Sequence, residues 1–505
     1  MHDKCSGDEG PEGRSRIEYD IECAIIPAMS YEPGAELSAI RRRIDHPIID
    51  GDGHIIEYLP LVRDILVEIG GPVLAERFDL VVDSGRLTQM LTPDRRRELA
   101  LMRIPWWGIP TRNTLDRATA MLPKLLYERL DQIGIDVAIA YPTYGLTAIH
   151  LTDDELRPAL SRAFNVYVAE VYAPYRDRIL PVACIPTFTP DEAVAELEHA
   201  VGTLGLRVVM MGGAIPRPYP GTDTPGARWI DGLGHASAYD YAPVWEKCVA
   251  LGVSPTFHST GAGWGARTSP TNYVFNHIGN FAAAGELTAR SLFFAGVPLR
   301  FPQLRFAFLE GGAGWACNLL NDLLGHWEKR NRDAIGQYDP AALDRGRLDA
   351  LFAQHAEGRM RDRADRLADG LSMLSETIVG DDVVDEFAES LVASPDDIVT
   401  TFTDKFLFGC EADDPMTAIA FDRGRNPHGA QLRALFASDI GHWDVPDFTR
   451  VVCEAWELVE AEHLDLADFR AFTFGNPVAL WAGTNPDFFA GTAVADAVVA
   501  QPRAG

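Results

Sequence analysis

Eight runs of β-type residues punctuate this 505-residue chain: Pro47 to Ile55, Val137 to Tyr141, Ile179 to Pro186, Leu206 to Met211, Val253 to His258, Leu304 to Glu310, Lys405 to Cys410 and Leu432 to Asp439. Several are continuously apolar instead of alternating, which marks strands covered on both faces, as in a parallel sheet. Helical patterns lie between them. Thr189 to Glu198, for example, has a polar start, acids in its first turn and apolar positions at helical spacing. Eight strands alternating with helices predict an α/β fold, a (β/α)8 TIM barrel.

Three of the runs stop on residues that bind divalent metals. Asp52 and His54 end the first, His258 ends the fifth and Asp439 ends the eighth. Side chains alternate across a strand, so Asp52 and His54, two apart, project from one face and can reach one ion together. A single strand cannot close a coordination sphere. His258 and Asp439 must come from distant strands, which is how a parallel barrel assembles a site at its carboxyl ends. Two imidazoles and two carboxylates form a mixed nitrogen and oxygen shell for one divalent ion. Zinc is the first expectation, and manganese, magnesium or iron are also accommodated.

Three connections are too long to be turns. Residues 59–129 carry helical patterns and the Trp106-Trp107-Gly108-Ile109-Pro110 kink, and are expected to form a lid over the barrel mouth in which Trp107 meets substrate. Residues 212–234, rich in Gly and Pro, read as a loop near the site. Residues 315–403 are charged and largely helical, a second insertion after the sixth strand. The organisation expected is an arm over 1–46, a barrel with its two insertions over 47–490 and a tail over 491–505. Such an arm suits contact with a neighbouring subunit, hence a homodimer or higher homo-oligomer.

Composition narrows the partners. With 45 Lys and Arg against 73 Asp and Glu, the formal net charge is −28, which argues against nucleic acid or an anionic membrane and for a small-molecule substrate. No stretch approaches the roughly 20 apolar residues of a spanning helix, and Met1 to Arg16 lacks the apolar core of a signal peptide. Seven scattered cysteines fit reduced thiols. A cytoplasmic location is expected.

Taken together, Asp52-x-His54, His258, the sixth-run Phe308-Leu309-Glu310-Gly311-Gly312-Ala313-Gly314-Trp315, Ser438-Asp439 and the closing Phe474-Gly475-Asn476-Pro477 resemble the amidohydrolase-related family. The similarity lies with the branch typified by amino-carboxymuconate-semialdehyde decarboxylase and the hydroxybenzoate decarboxylases, over about residues 47–476. The resemblance implies that Asp52, His54, His258 and Asp439 hold the metal. Binuclear members of the wider superfamily use a fourth-strand lysine where this chain has Val208-Val209-Met210-Met211, so one ion is implied.

At Glu310 the chain departs from those relatives, which place a histidine there. Glu310 is then either an acid or base beside a metal-bound water or a structural ion-pair partner. His277 matches a region that approaches substrate in the decarboxylases, or is satisfied by local backbone. His442, on the loop after Asp439, either orients Asp439 or lines the pocket. Glu411, Asp413 and Asp414 could hydrogen-bond the ligating histidines, with Asp414 alternatively capping a helix. Arg217 and Arg267 could each clamp a substrate carboxylate or stay solvated. The expected chemistry is hydrolysis by metal-activated water, with Asp439 or Glu310 taking its proton. The alternatives are non-oxidative decarboxylation of a hydroxybenzoate-like acid and a metal-free, non-catalytic barrel.

Overall fold

The structure is a computed structural model that describes residues 30–105, 110–221, 227–371 and 385–501. Eight parallel strands form one sheet in chain order. They are β1 (Ile49–Ile55), β2 (Val137–Pro142), β3 (Ile179–Ile185), β4 (Val208–Met211), β7 (Pro255–Phe257), β8 (Phe306–Phe308), β9 (Phe406–Glu411) and β10 (Arg433–Ala437). Each expected run supplies one of them. β1, β2 and β3 are buried along their whole length, because helices cover the outside and neighbouring strands fill the inside. The helix Pro190–Leu197, expected from its polar start and first-turn acids, begins on a capping box of Thr189 and Glu192.

The sheet closes between β10 and β1. His54 N–H donates to Ile440 O at 2.8 Å, and Asp439 N–H donates to Asp52 O at 3.0 Å. Asp50 reinforces this seam, since its fully buried carboxylate accepts from Ser438 N at 2.9 Å and from Ser438 Oγ at 2.6 Å. The clamp explains Gly53, where a Cβ would stand 2.4 Å from Asp50 Oδ2. Gly441 is likewise required: its φ is 99°, and a Cβ there would lie 2.6 Å from His54 O.

Two connections differ from expectation. Within 212–234 lies an antiparallel hairpin of β5 (Ile215–Pro218) and β6 (Arg228–Asp231); its Gly and Pro content masked two short β segments. In the 59–129 segment, the helix Leu59–Met90 kinks at Gly71 (φ 78°) before Pro72 and packs along the helix Leu156–Val171, away from the mouth. Among the described residues only the part from Met102 to Arg117 reaches the cavity above the strand ends. Trp106 and Trp107 lie outside the described residues, as do residues 1–29 of the arm. After β8 lie the helices Gly314–Arg330, Arg345–His355 and Pro395–Thr400.

Candidate metal centre

Asp52 and His54 project from the carboxyl end of β1, His258 follows β7 by one residue, and Glu310 and Asp439 each lie two residues beyond a strand, β8 and β10. Both acids have left-handed backbones, φ 56° at Glu310 and 49° at Asp439. For a non-glycine residue this conformation costs about 1–3 kcal/mol and persists where the surroundings enforce it. The turn it makes brings each carboxylate back over the barrel mouth.

One ligand atom from each of Asp52, His54, His258 and Glu310 lies within 4.8 Å of every other, and all four residues are buried. His54 Nε2 is 3.2 Å from His258 Nε2, 3.2 Å from Glu310 Oε1 and 3.5 Å from Asp52 Oδ1, and His258 Nε2 is 3.0 Å from Glu310 Oε1. Ligands bonded at about 2.0–2.1 Å to one tetrahedral ion are themselves about 3.4 Å apart. A second, overlapping group combines His54 and Glu310 with Asp439 and His442. Here Asp439 Oδ1 is 3.6 Å from His54 Nε2 but only 2.7 Å from His442 Nδ1, the spacing of a charged pair. His442 stacks on His54 with centroids 3.8 Å apart, and its Nε2 lies 3.4 Å from Thr143 Oγ1.

The electrostatics ask for a cation. Both Asp52 carboxylate oxygens, Glu310 Oε1 and Asp439 Oδ1 are buried without a hydrogen-bond donor, an arrangement that costs several kcal/mol unless something positive sits among them. The Glu310 contact with His258 is close yet not aligned as a hydrogen bond. Burial pushes the Asp52 carboxyl up to about 7 and holds the His54 imidazole down at about 4. Burial also raises Glu310, but His258 first, then His442 and His54, overcome it and keep that carboxylate well below its usual range. Asp439 is raised well above its range by burial, against the charge of His442. His442 is opposed by burial yet held well above the imidazole range by Asp439 and then Glu310. The donor chemistry and the orphaned oxygens fit a divalent metal, and the ion would replace the protons that the crowded acids otherwise retain.

Over these donors opens a cavity of about 640 Å³. Tyr273, His277, Phe281 and Trp443 give it an aromatic wall, with His277 5.5 Å from Phe281 and 5.8 Å from Trp443 between ring centroids, both edge-on. Arg103 and Arg117 line it as well, and Arg117 Nη1 is buried with no partner. Asn276 laces the two mouth segments together: its Nδ2 donates to Arg103 O at 3.1 Å and Ser269 O at 2.9 Å, and its Oδ1 accepts from Ser269 N at 2.7 Å.

Of the residues singled out from the sequence, Asp52, His54, His258, Glu310, Asp439 and His442 converge, and His277 joins the cavity wall. Arg217 does not. It is buried, donating to Asp231 at 3.0 Å, to Phe188 O and to Tyr241 Oη at 2.8 Å, so its guanidinium braces the β5–β6 hairpin. Arg267 donates from Nη2 to Gly279 O at 3.1 Å, keeps a buried Nε without a partner and lies off the cavity lining. Asp414 caps the 3-10 turn that follows it, while Glu411 lines the cavity. Sequence reasoning missed Asp50, although it shares the strand of Asp52 and His54, and also missed Glu57, Arg117 and Asn276. Glu57 accepts from Tyr144 N and Gly145 N and so holds the first turn of the helix Thr143–Ala148.

The buried acids imply a pH-dependent stability of the metal-free protein. Burial raises Asp50 and Glu57 to about 7 and Glu411 to about 8, and it depresses His46, His54 and His150 to about 4. Between about pH 4 and 6.5 the folded chain keeps carboxyl protons that the unfolded chain has released, yet refuses histidine protons that the unfolded chain binds. The two effects oppose each other. Above about pH 6.5 the raised carboxyls and the raised His442 remain, and the stabilisation from the carboxyls is lost as pH rises through 7 to 8. Thermal unfolding of chelator-treated protein is expected to change little from about pH 5 to 6.5 and to move to lower temperature by about pH 8.5; a midpoint that climbs over the upper interval contradicts this.

A parallel eight-stranded barrel with a buried His and carboxylate cluster at its carboxyl ends is the layout of a metal-dependent barrel enzyme. The amidohydrolase family profile matches residues 59–360, well over half of the chain, and the chain belongs to that family. No curated protein sequence matches it significantly. Among solved structures it is similar to an amidohydrolase from Mycobacterium avium subsp. paratuberculosis K-10, at 17% identity and TM-score 0.49, over 87% of this chain and 100% of that one. It is also similar to 5-carboxyvanillate decarboxylase from Sphingomonas paucimobilis, at 14% identity and TM-score 0.46, over 86% and 99%. A third is dihydroxybenzoic acid decarboxylase from Polaromonas sp. JS666, solved with manganese and 2-nitroresorcinol, at 15% identity and TM-score 0.42, over 86% and 97%. No helix among the described residues is long and apolar enough to cross a membrane.

Proposed function

We propose that the chain catalyses metal-dependent, non-oxidative decarboxylation of a small aromatic acid. The cavity wall carries the reading: four rings stand beside the metal donors, together with a guanidinium, Arg117, whose buried Nη1 has no partner. Aromatic edges and faces suit a planar ring, and an unpaired guanidinium suits a carboxylate. A divalent metal, zinc or manganese for this donor set, supplies a Lewis acid that polarises substrate oxygens. Tyr273, His277, Phe281 and Trp443 orient the ring and Arg117 receives a carboxylate.

His442 Nδ1 lies 2.7 Å from Asp439 Oδ1 and 3.4 Å from Glu310 Oε1, and in its protonated form it would deliver the proton to the ring carbon. As the carbon–carbon bond breaks, its electron pair stays on that carbon, which takes the proton while CO2 leaves, so nothing is oxidised. Hydrolysis, the chemistry first expected, needs a group that removes a proton from water; the aromatic wall and Arg117 favour the lyase reading.

Metal-replete protein offered hydroxybenzoates, amides and lactones is expected to release CO2 from an aromatic acid. Arg117→Ala should then raise KM about 10- to 100-fold, the range for a lost charge-assisted hydrogen bond, with metal content unchanged. Turnover of amides or lactones without CO2 release would return the function to hydrolysis.

A further inference from the structure

Resting on the metal-dependent reading above, we propose that Glu310 coordinates the metal directly, so that the sixth barrel strand contributes a ligand. Four observations converge on Glu310. Its Oε1 stands 3.0 Å from His258 Nε2 and 3.2 Å from His54 Nε2, and these nitrogens are themselves 3.2 Å apart. Three atoms so spaced have the mutual separations of ligands on one ion. That same oxygen has no hydrogen-bond donor although the side chain is only 3% exposed. Among the described residues no Lys or Arg pairs with Glu310; its charged contacts are His54, His258 and His442 alone. Finally, the left-handed backbone at Glu310 turns the carboxylate inward over the donors.

Asp439 is placed differently. It belongs to the overlapping group with His54, Glu310 and His442, its Oδ1 3.6 Å from His54 Nε2 and 2.7 Å from His442 Nδ1. The acids at the ends of β8 and β10 thus face the donors from two sides, Glu310 against both His54 and His258 and Asp439 between His54 and His442.

The test is metal binding by chelator-stripped protein, with Mn2+ and Zn2+ as probes, comparing wild type, Glu310→Gln and Glu310→Asp. Coordination number is followed by X-ray absorption and folding by circular dichroism. Gln keeps the shape but not the anion, and Asp keeps the anion on a shorter reach. A ligand role requires both variants to fold, both to bind metal at least 10-fold more weakly, and the absorption spectrum to lose one oxygen neighbour in Glu310→Gln. Affinity within twofold of wild type in Glu310→Gln, with an unchanged metal environment, would overturn the proposal and return Glu310 to acid–base duty. Neither readout uses a substrate, so a failed substrate panel leaves this result standing, and a failed ligand role leaves the decarboxylase reading testable.

Discussion

His258→Ala should leave the barrel folded and without its metal. His258 sits one residue past β7 with its Nε2 within 3.2 Å of both His54 Nε2 and Glu310 Oε1, so deleting the imidazole removes one of four donors and leaves a gap no neighbouring group fills. Loss of a direct ligand should exceed the roughly 10- to 100-fold weakening typical of changes to groups behind the ligands. The fold should persist, because the strand's own packing rests on Phe257 against Trp245, Phe306 and Phe308, none of which touches the metal donors. Elemental analysis after dialysis, beside far-ultraviolet circular dichroism, measures both halves. Stoichiometric metal in a folded His258→Ala protein would dismantle the centre as described.

The second large effect is expected at His442. If its imidazole delivers the proton, His442→Asn should cut kcat by about 10²- to 10⁴-fold, the scale of general acid catalysis, while metal content holds, since His442 Nδ1 stands with Asp439 at 2.7 Å and outside the compact donor group. The pH profile separates this from mere loss of packing: an acid held protonated well above the imidazole range gives wild type an alkaline limb that the Asn variant should lack. A variant that keeps the limb and loses only a few-fold in rate would make His442 a spacer over His54, with which it stacks.

The β8 and β10 acids mark the boundary of what the chain reveals by itself. Asp439 and Glu310 were recognisable as strand-end carboxylates, but which one stands among the metal donors depends on where each left-handed turn sends its side chain, a property of backbone that no residue pattern encodes. Asp50 was overlooked because an acid in a buried strand looks like part of the metal motif beside it; its role as the clamp between β1 and β10 exists only once the barrel has closed. Arg217 and Arg117 make the converse pair. The first was a candidate for substrate and is consumed by Asp231, and the second, in an unremarkable helical stretch, lines the cavity and keeps a buried nitrogen without a partner.

Eight strands, their order, the carboxyl-end position of the site and the identity of its histidines were determined by sequence, because apolar period, strand length and turn residues are local properties that survive as pattern. Tertiary structure alone decided how near each acid stands to the histidine nitrogens, the hairpin inside 212–234, and which described residues of the 59–129 segment line the cavity. Those depend on distances between residues hundreds of positions apart. Such distances are set by how the barrel closes and how helices pack on it, and a sequence carries them only through the fold.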